Sequence, residues 1–352
     1  MNTLTAAGAI PADSLLATAR RVFLAALAIN SALTLLCAVS YFTGFGAALV
    51  GSVTLDRSTA IRIGSSILIM TVLWGFIWLG IKALLLAKAA KFTKDERRAA
   101  FGSRMREPFD VAALVARHSE RRIRIVDMIG RRGRFITLGA AGMFYLFGMV
   151  EQTRPATFAY AFLNANLLDG VINLWIFLAV FWRSDWFAAA VYGPQMRVMD
   201  GVLARANCLS LITLWALFKF VMVPIGGQLF TLYSAEHFAL VFALIWGSYM
   251  VTDTLSEVGG SLYGRQKIRV VGLGDVNRKS IAGTLTGFIG GLAFCLALVA
   301  ARSPGGAWFG LAVSIAVANS VLELASPRGT DDFIMATANA LICWAFGAWV
   351  FQ

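Results

Sequence analysis

Long runs of apolar residues, separated by short polar stretches, dominate this chain. About 20 consecutive apolar residues are enough to cross a bilayer as an α-helix. The pattern predicts nine such spans, near residues 22–43, 63–87, 135–150, 158–182, 207–231, 237–262, 280–301, 308–324 and 333–352. The runs are continuously apolar and lack the alternation of the strands in a membrane barrel. We therefore expect an all-α, polytopic integral membrane helical bundle.

Basic residues are distributed unevenly between the predicted loops. Most of the 31 Lys and Arg residues fall on the side that holds the N-terminus, and the opposite side has Arg57, Arg62, Arg154 and Arg302. Loops rich in Lys and Arg stay in the cytoplasm. The N-terminus is therefore predicted to be cytoplasmic, in the inner membrane if the source is bacterial. The net charge of +12 then reflects orientation and contact with anionic lipid headgroups, and we expect no nucleic-acid partner.

The predicted spans divide the chain into two regions. Residues 1–157 hold three spans and a basic loop over 88–134, whereas residues 158–352 hold six spans. In the second half of the loop, apolar and Arg residues recur at three-to-four spacing, which favours an amphipathic helix lying on the anionic headgroups. A solvated helical hairpin is the alternative. The four cysteines fall inside spans without paired spacing, so the sequence indicates neither a disulfide framework nor a zinc site.

Acidic residues lie at the ends of three late spans. Asp253 and Glu257 are four residues apart and therefore share a helix face. Carboxylates near the end of a membrane helix are costly unless they are paired or hydrated. Glu323, Asp331 and Asp332 surround a tight turn and form a second acidic group. Because Mg²⁺ binds carboxylates together with phosphate oxygens, we predict a metal site from these five residues. Charged helix ends and a solvated loop are the alternatives.

A short basic loop leads into the seventh predicted span. Ser280 is a plausible N-cap there, and the free N–H groups of a helix start attract phosphate. Ordinary basic flanking residues with a cap would give the same pattern. We assign phosphate or nucleotide binding to the small, basic and polar residues around this loop, which are Gly260, Gly264, Lys267, Asn277, Arg278, Lys279, Ser280, Gly283 and Thr284.

The fourth predicted span is unusually polar. Asn166, Asp169 and Asn173 follow the spacing i, i+3, i+7 and share one helix face. Hydrogen bonding between helices explains such a face. The more specific hypothesis is that this polar face forms one wall of a groove that binds a lipid substrate.

The stretch DTLSEVGG at 253–260, Gly264 and the stretch KSIAGT at 279–284 resemble the motif of the dolichol and phytol kinase family. Glu323 and PRGTDDF at 327–333 resemble the later acidic element of that family. The resemblance covers residues 249–345, and phosphatidate cytidylyltransferases share its core more loosely. The chain departs from the family at Ala282 and Asp332, where the family usually has Glu and Asn.

This resemblance implies a CTP- and Mg²⁺-dependent enzyme that phosphorylates a long-chain isoprenoid alcohol at the cytoplasmic face of the membrane. Asp253, Glu257 and Lys279 would be catalytic, and Asp253 would activate the hydroxyl. Two other functions stay open. One is a cytidylyltransferase that forms a CDP-lipid, and the other is a transporter or a non-catalytic membrane scaffold.

Overall fold

The computed structural model describes residues 12–42, 57, 61, 64–65, 68, 72–101, 111–148, 193–271, 278–302, 305–327 and 329–351. These residues are mostly helical, as the apolar pattern predicts. Five helical stretches among them are long and apolar enough to cross a membrane: Leu16–Leu36, His237–Tyr263, Ile281–Arg302, Gly306–Ala325 and Asp331–Trp349. The first overlaps the first predicted span, and the other four coincide with the last four predicted spans within a few residues.

The first described part of the chain forms a π-helical segment and five α-helices. The π-helix is Val72–Ile77, and the α-helices are α1 Ala12–Phe42, α2 Trp78–Lys88, α3 Lys94–Ala100, α4 Val111–Arg117 and α5 Glu120–Gly148. Thr93 starts α3 with a capping box, because its side chain and that of Glu96 each accept a hydrogen bond from the other's backbone N–H.

The basic loop contains more helices than the single amphipathic helix or the helical hairpin that the sequence predicted. It forms α3, α4 and the beginning of α5, and α5 continues without a break into the third predicted span. Apolar side chains of these helices and of α2 make a small buried cluster that includes Leu86, Phe92, Leu114 and Ile123. The segment therefore packs onto the rest of the protein as a small helical unit.

The second described part carries the helices that build the site. A 3₁₀-helix, Val198–Leu203, leads into α6 Ala204–Leu232, α7 Ala235–Tyr263, α8 Ile281–Arg302, α9 Gly306–Ala325 and α10 Asp331–Trp349. The largest hydrophobic core lies between α7, α8, α9, α10 and the end of α6. A second cluster joins α1 to the start of α6.

A two-stranded hairpin connects α7 to α8 and was not predicted. Strand β1 is Lys267–Arg269 and strand β2 is Arg278–Ser280, and they pair antiparallel with Ile268 opposite Lys279. The pairing fixes Lys279 and Ser280 directly before the first turn of α8.

Glycines allow α7 and α8 to approach each other closely. Gly283, Gly287 and Gly291 of α8 recur every four residues and face α7. A Cβ atom added at Gly283 would lie 2.6 Å from the backbone oxygen of Ser256. Small residues at such spacing let membrane helices pack backbone against backbone. The last turns of α7 are therefore held against the start of α8.

The helix ends that carry the predicted site meet at one end of the bundle. The short connections between α8, α9 and α10 make consecutive helices antiparallel. The C-terminal ends of α7 and α9 consequently lie beside the N-terminal ends of α8 and α10. This arrangement brings Asp253 and Glu257 to the same region as Ser280, Glu323 and Asp331.

Candidate functional site

A cavity of about 560 Å³ opens where these helix ends meet. Charged side chains of both signs line it, and they come from α5, α7, α9, α10, the hairpin and the segment before α6, whereas α6 and α8 contribute uncharged residues. The cationic residues are Arg124, Arg131, Arg132, Arg197, Lys267, Arg278 and Lys279, and the acidic ones are Asp127, Asp200, Asp253, Glu257, Glu323, Asp331 and Asp332. The cavity is thus lined by seven cations and seven carboxylates, which makes it polar and close to neutral.

Arg132 binds both Asp253 and Glu257 of α7. Its two terminal nitrogens each donate to one carboxylate oxygen of Asp253, and the Nη2–Oδ1 distance is 2.8 Å. Its Nε donates to Oε2 of Glu257. Asp253 is only 7% exposed and Arg132 only 6%. A planar guanidinium matches a carboxylate in this bidentate way, which a lysine cannot reproduce.

Two further arginines reach the other oxygen of Glu257. Nη1 of Arg131 lies 2.6 Å from Oε1 of Glu257, and Nη2 of Arg197 lies 3.4 Å from the same atom. Three guanidinium groups thus surround two carboxylates, which leaves this cluster with an excess of positive charge. The four-residue spacing of Asp253 and Glu257 puts both side chains on the face that receives Arg132.

A second cluster surrounds Lys279. Its Nζ lies 3.3 Å from Oε1 of Glu323 and 3.2 Å from Oδ2 of Asp331, and it also donates to the backbone oxygen of Glu323. The hydroxyl of Thr284 donates to Oε2 of Glu323 at 3.4 Å. Lys279 therefore ties the start of α8 to the end of α9 and the start of α10.

The environments of Lys279 and Arg132 keep both side chains charged. Burial lowers the pKa of Lys279, but the Asp331 and Glu323 carboxylates raise the pKa above its ordinary value. Burial likewise lowers the pKa of Arg132, and Asp253 and Glu257 raise that pKa above the usual range. Lys279 is consequently a fixed cation at neutral pH, which suits charge stabilisation better than proton abstraction.

The start of α8 has the predicted cap. The hydroxyl oxygen of Ser280 accepts a hydrogen bond from the N–H of Gly283 at 3.1 Å. Gly260 and Gly264 lie against Ser280, since a Cβ at either position would come within 2.9 Å of its hydroxyl oxygen. Lys267 reaches back to the carbonyl of Gly260 at 3.4 Å.

The structure places most of the predicted site residues together. Every described residue of the predicted phosphate, metal and catalytic sets lines the cavity except Gly264, which caps the end of α7 beside it. Asn277 and the predicted groove residues Asn166, Asp169 and Asn173 lie outside the described residues. Asp331 and Asp332 begin α10 without capping it, because its N-cap is Thr330.

The predicted magnesium ligands do not fit a metal ion in this arrangement. All four carboxylate oxygens of Asp253 and Glu257 accept hydrogen bonds from guanidinium groups, and Lys279 occupies the space between Glu323 and Asp331. The described residues contain no group of three or more His, Cys, Asp or Glu side chains placed to hold a metal. Oδ1 of Asp332 is buried and accepts no hydrogen bond. We assign no chemical step to a metal.

The sequence reasoning missed the arginines that hold the carboxylates. Arg131 and Arg132 belong to the segment that was predicted to face anionic lipid headgroups, and the structure instead turns both toward α7. One signal was available. Ile123, Asp127 and Arg131 repeat every four residues, so an acidic and a basic residue share the helix face of a buried isoleucine.

No protein-family model, curated protein or solved structure matches this chain.

Proposed function

We propose that this protein is a membrane-embedded kinase that uses CTP to phosphorylate a long-chain isoprenoid alcohol. The observation that carries the proposal is the cavity in which Arg131, Arg132, Arg197 and Lys279 surround carboxylates at the ends of apolar helices. A polyphosphate needs several cations, and a lipid alcohol needs a site at a membrane boundary. The choice of CTP and of an isoprenoid rests on the family resemblance of residues 249–345, which also implies the Mg²⁺ that is supplied in the assay.

The proposal includes the membrane arrangement predicted from the sequence. Nine spans with a cytoplasmic N-terminus would put the cavity on the cytoplasmic side, where CTP is found. The Lys and Arg residues of the loops support this orientation. The isoprenoid tail would lie between apolar helices and present its hydroxyl to the cavity.

Phosphoryl transfer asks a protein mainly for positioning and for neutralisation of charge. In our proposal Arg131, Arg132 and Arg197 bind the phosphates, together with Lys267, Arg278 and the N-terminus of α8. Lys279 stabilises charge on the transferred group. Gly260 and Gly283 let the backbones of α7 and α8 approach, which holds Ser280 and the start of α8 beside the cavity, and Gly264 lies against Ser280.

Asp253 is the proposed acceptor of the hydroxyl proton. Arginines that turn toward an incoming polyphosphate would leave this carboxylate free to accept a hydrogen bond from the alcohol. The alcohol oxygen then forms a bond to the γ-phosphorus, the bond between that phosphorus and the β,γ-bridging oxygen breaks, and CDP leaves. Glu257 would hold the arginines in place between turnovers.

The direct test uses purified protein with lipid extract, Mg²⁺ and CTP labelled separately in the α- or the γ-phosphate. We expect the γ label to enter the organic phase and the α label to stay in water. Entry of the α label would identify a CDP-lipid-forming cytidylyltransferase instead. Entry of neither label would contradict both activities and favour the transporter or scaffold hypothesis.

Replacement of Lys279 by methionine should reduce γ-label transfer by at least a hundredfold. Methionine keeps most of the side-chain volume but removes the cation that bridges Glu323 and Asp331. The matched control is Arg269→Met, since Arg269 is an exposed basic residue on the other strand of the same hairpin. Equal activity of the two variants, measured per folded protein, would exclude Lys279 from the site.

A further inference from the structure

A buried ion pair lies beside the cavity and belongs to no part of the predicted motif. Lys82 of α2 is completely buried, and Asp127 of α5 is 4% exposed. Nζ of Lys82 lies 3.0 Å from Oδ1 of Asp127. A buried ion pair is weak evidence for stability, because desolvation of the two charges offsets their attraction. Its other contacts indicate a more specific role.

The same two side chains hold the backbone on either side of Arg197. Nζ of Lys82 donates to the carbonyl oxygen of Met196. The N–H of Val198 donates to Oδ2 of Asp127 at 2.8 Å. Arg197 is therefore bracketed by one hydrogen bond before it and one after it. Its backbone is extended there, with φ −92° and ψ 123°, and its side chain reaches Glu257.

The ion pair also fixes the helix that carries the other two arginines. Asp127 precedes Arg131 by four residues, so it lies one turn before it on the same face of α5. Gly130 lets α2 approach α5 at this level, because a Cβ added there would lie 3.1 Å from Cδ of Lys82. One ion pair thus joins α2, α5 and the segment before the 3₁₀-helix at a single point.

We propose that Lys82 and Asp127 are positioning residues that hold Arg131, Arg132 and Arg197 together as one preorganised binding site for a polyphosphate anion. Neither side chain needs to touch the ligand. Arg197 has no regular helix to hold it, and Arg131 and Arg132 sit on a helix that reaches the site from a different part of the chain. The Lys82–Asp127 pair sets the distance between these two elements. The inference rests on the proposed function only for the identity of the ligand.

The test uses calorimetry to measure the binding of inorganic pyrophosphate to the full chain in detergent. Thermal unfolding of the same samples is measured in parallel. The main variant is Lys82→Met with Asp127→Leu, which replaces the pair by apolar side chains and leaves no buried charge alone. We expect the Kd for pyrophosphate to rise at least tenfold while the unfolding temperature stays within a few degrees of the parent. A merely structural pair would change the unfolding temperature and leave the Kd alone.

The matched control removes a different ion pair, which lies in the small helical unit formed by the basic loop. Glu96 and Arg117 lie 3.0 Å apart and do not line the cavity. The double variant Glu96→Gln with Arg117→Met keeps the acceptor of the capping box on α3, and we expect its Kd to equal that of the parent. A loss of affinity equal to that of the main variant would overturn the inference.

A second variant keeps the test decisive if the apolar pair does not fold. Asp127→Asn preserves the side-chain shape and an oxygen for the N–H of Val198, but it removes the charge that faces Lys82. We expect a Kd between those of the parent and the apolar variant. A Kd within twofold of the parent in a folded Asp127→Asn protein would overturn the positioning role. Failure of the parent itself to bind pyrophosphate would instead contradict the proposed function.

Discussion

Arg132→Met should lower the free energy of unfolding by about 3–5 kcal/mol, which is the usual cost of removing one partner of a buried ion pair. Arg132 makes both hydrogen bonds that Asp253 receives from guanidinium groups and one of those to Glu257. Without it, the Asp253 carboxylate is left buried and without its cation. The free energy can be measured by denaturant titration in mixed micelles, with Arg121→Met as the control because Arg121 is exposed on the same helix.

A double variant separates lost pairing from lost volume. Arg132→Met combined with Asp253→Met removes both charges, and burial of two apolar side chains is often neutral relative to the ion pair. We expect this protein to recover most of the stability that the single variant loses, although it should transfer no phosphate. A double variant as unstable as Arg132→Met alone would show that the cost comes from packing and would contradict the importance of this ion pair.

Gly283→Ala should destabilise the protein by about 1–3 kcal/mol, the range for a residue that is too large for its site. The new Cβ would lie 2.6 Å from the backbone oxygen of Ser256, and a backbone atom of a packed helix cannot move aside cheaply. The displacement would separate α7 from α8 and carry Ser280 away from Gly260. We therefore expect a lower unfolding temperature and a loss of γ-label transfer in the same variant.

The matched control is a glycine whose replacement by alanine should not destabilise the protein. Gly306 begins α9 and has no atom within 4 Å of an added Cβ. Alanine is better than glycine in a helix by about 1 kcal/mol, so Gly306→Ala should leave stability unchanged or raise it slightly. Equal effects of Gly283→Ala and Gly306→Ala would contradict the close approach of α7 and α8.

Hydrophobic patterning was sufficient to predict the last four helices because an α-helix that crosses a bilayer needs a continuous apolar run of about 20 residues. The last four predicted spans match α7, α8, α9 and α10 within a few residues. The hairpin of β1 and β2 escaped prediction because three-residue strands are too short to show any period. Its strands are held by backbone pairing, to which the side-chain sequence contributes little.

The acidic residues of the cavity and the cations of the hairpin were readable from the sequence, and the arginines of α5 were not. Asp253 and Glu257 stand out because carboxylates are rare in an apolar helix. Arg131 and Arg132 lie among many other arginines of the same loop, and nothing in their local pattern identifies a partner 121 residues later in the chain. Charge pairs between distant segments depend on how helices pack, and helix periodicity carries no information about that.

The distance along the chain between Arg132 and Asp253 has a consequence for biosynthesis. A chain is made from its N-terminus, so α5 and its arginines are complete before α7 leaves the ribosome. A carboxylate that enters a bilayer alone costs several kcal/mol. In the proposed membrane arrangement, the guanidinium groups that neutralise Asp253 and Glu257 are already synthesised when α7 inserts. The order of the helices thus makes cationic partners available to these carboxylates before α7 enters the bilayer.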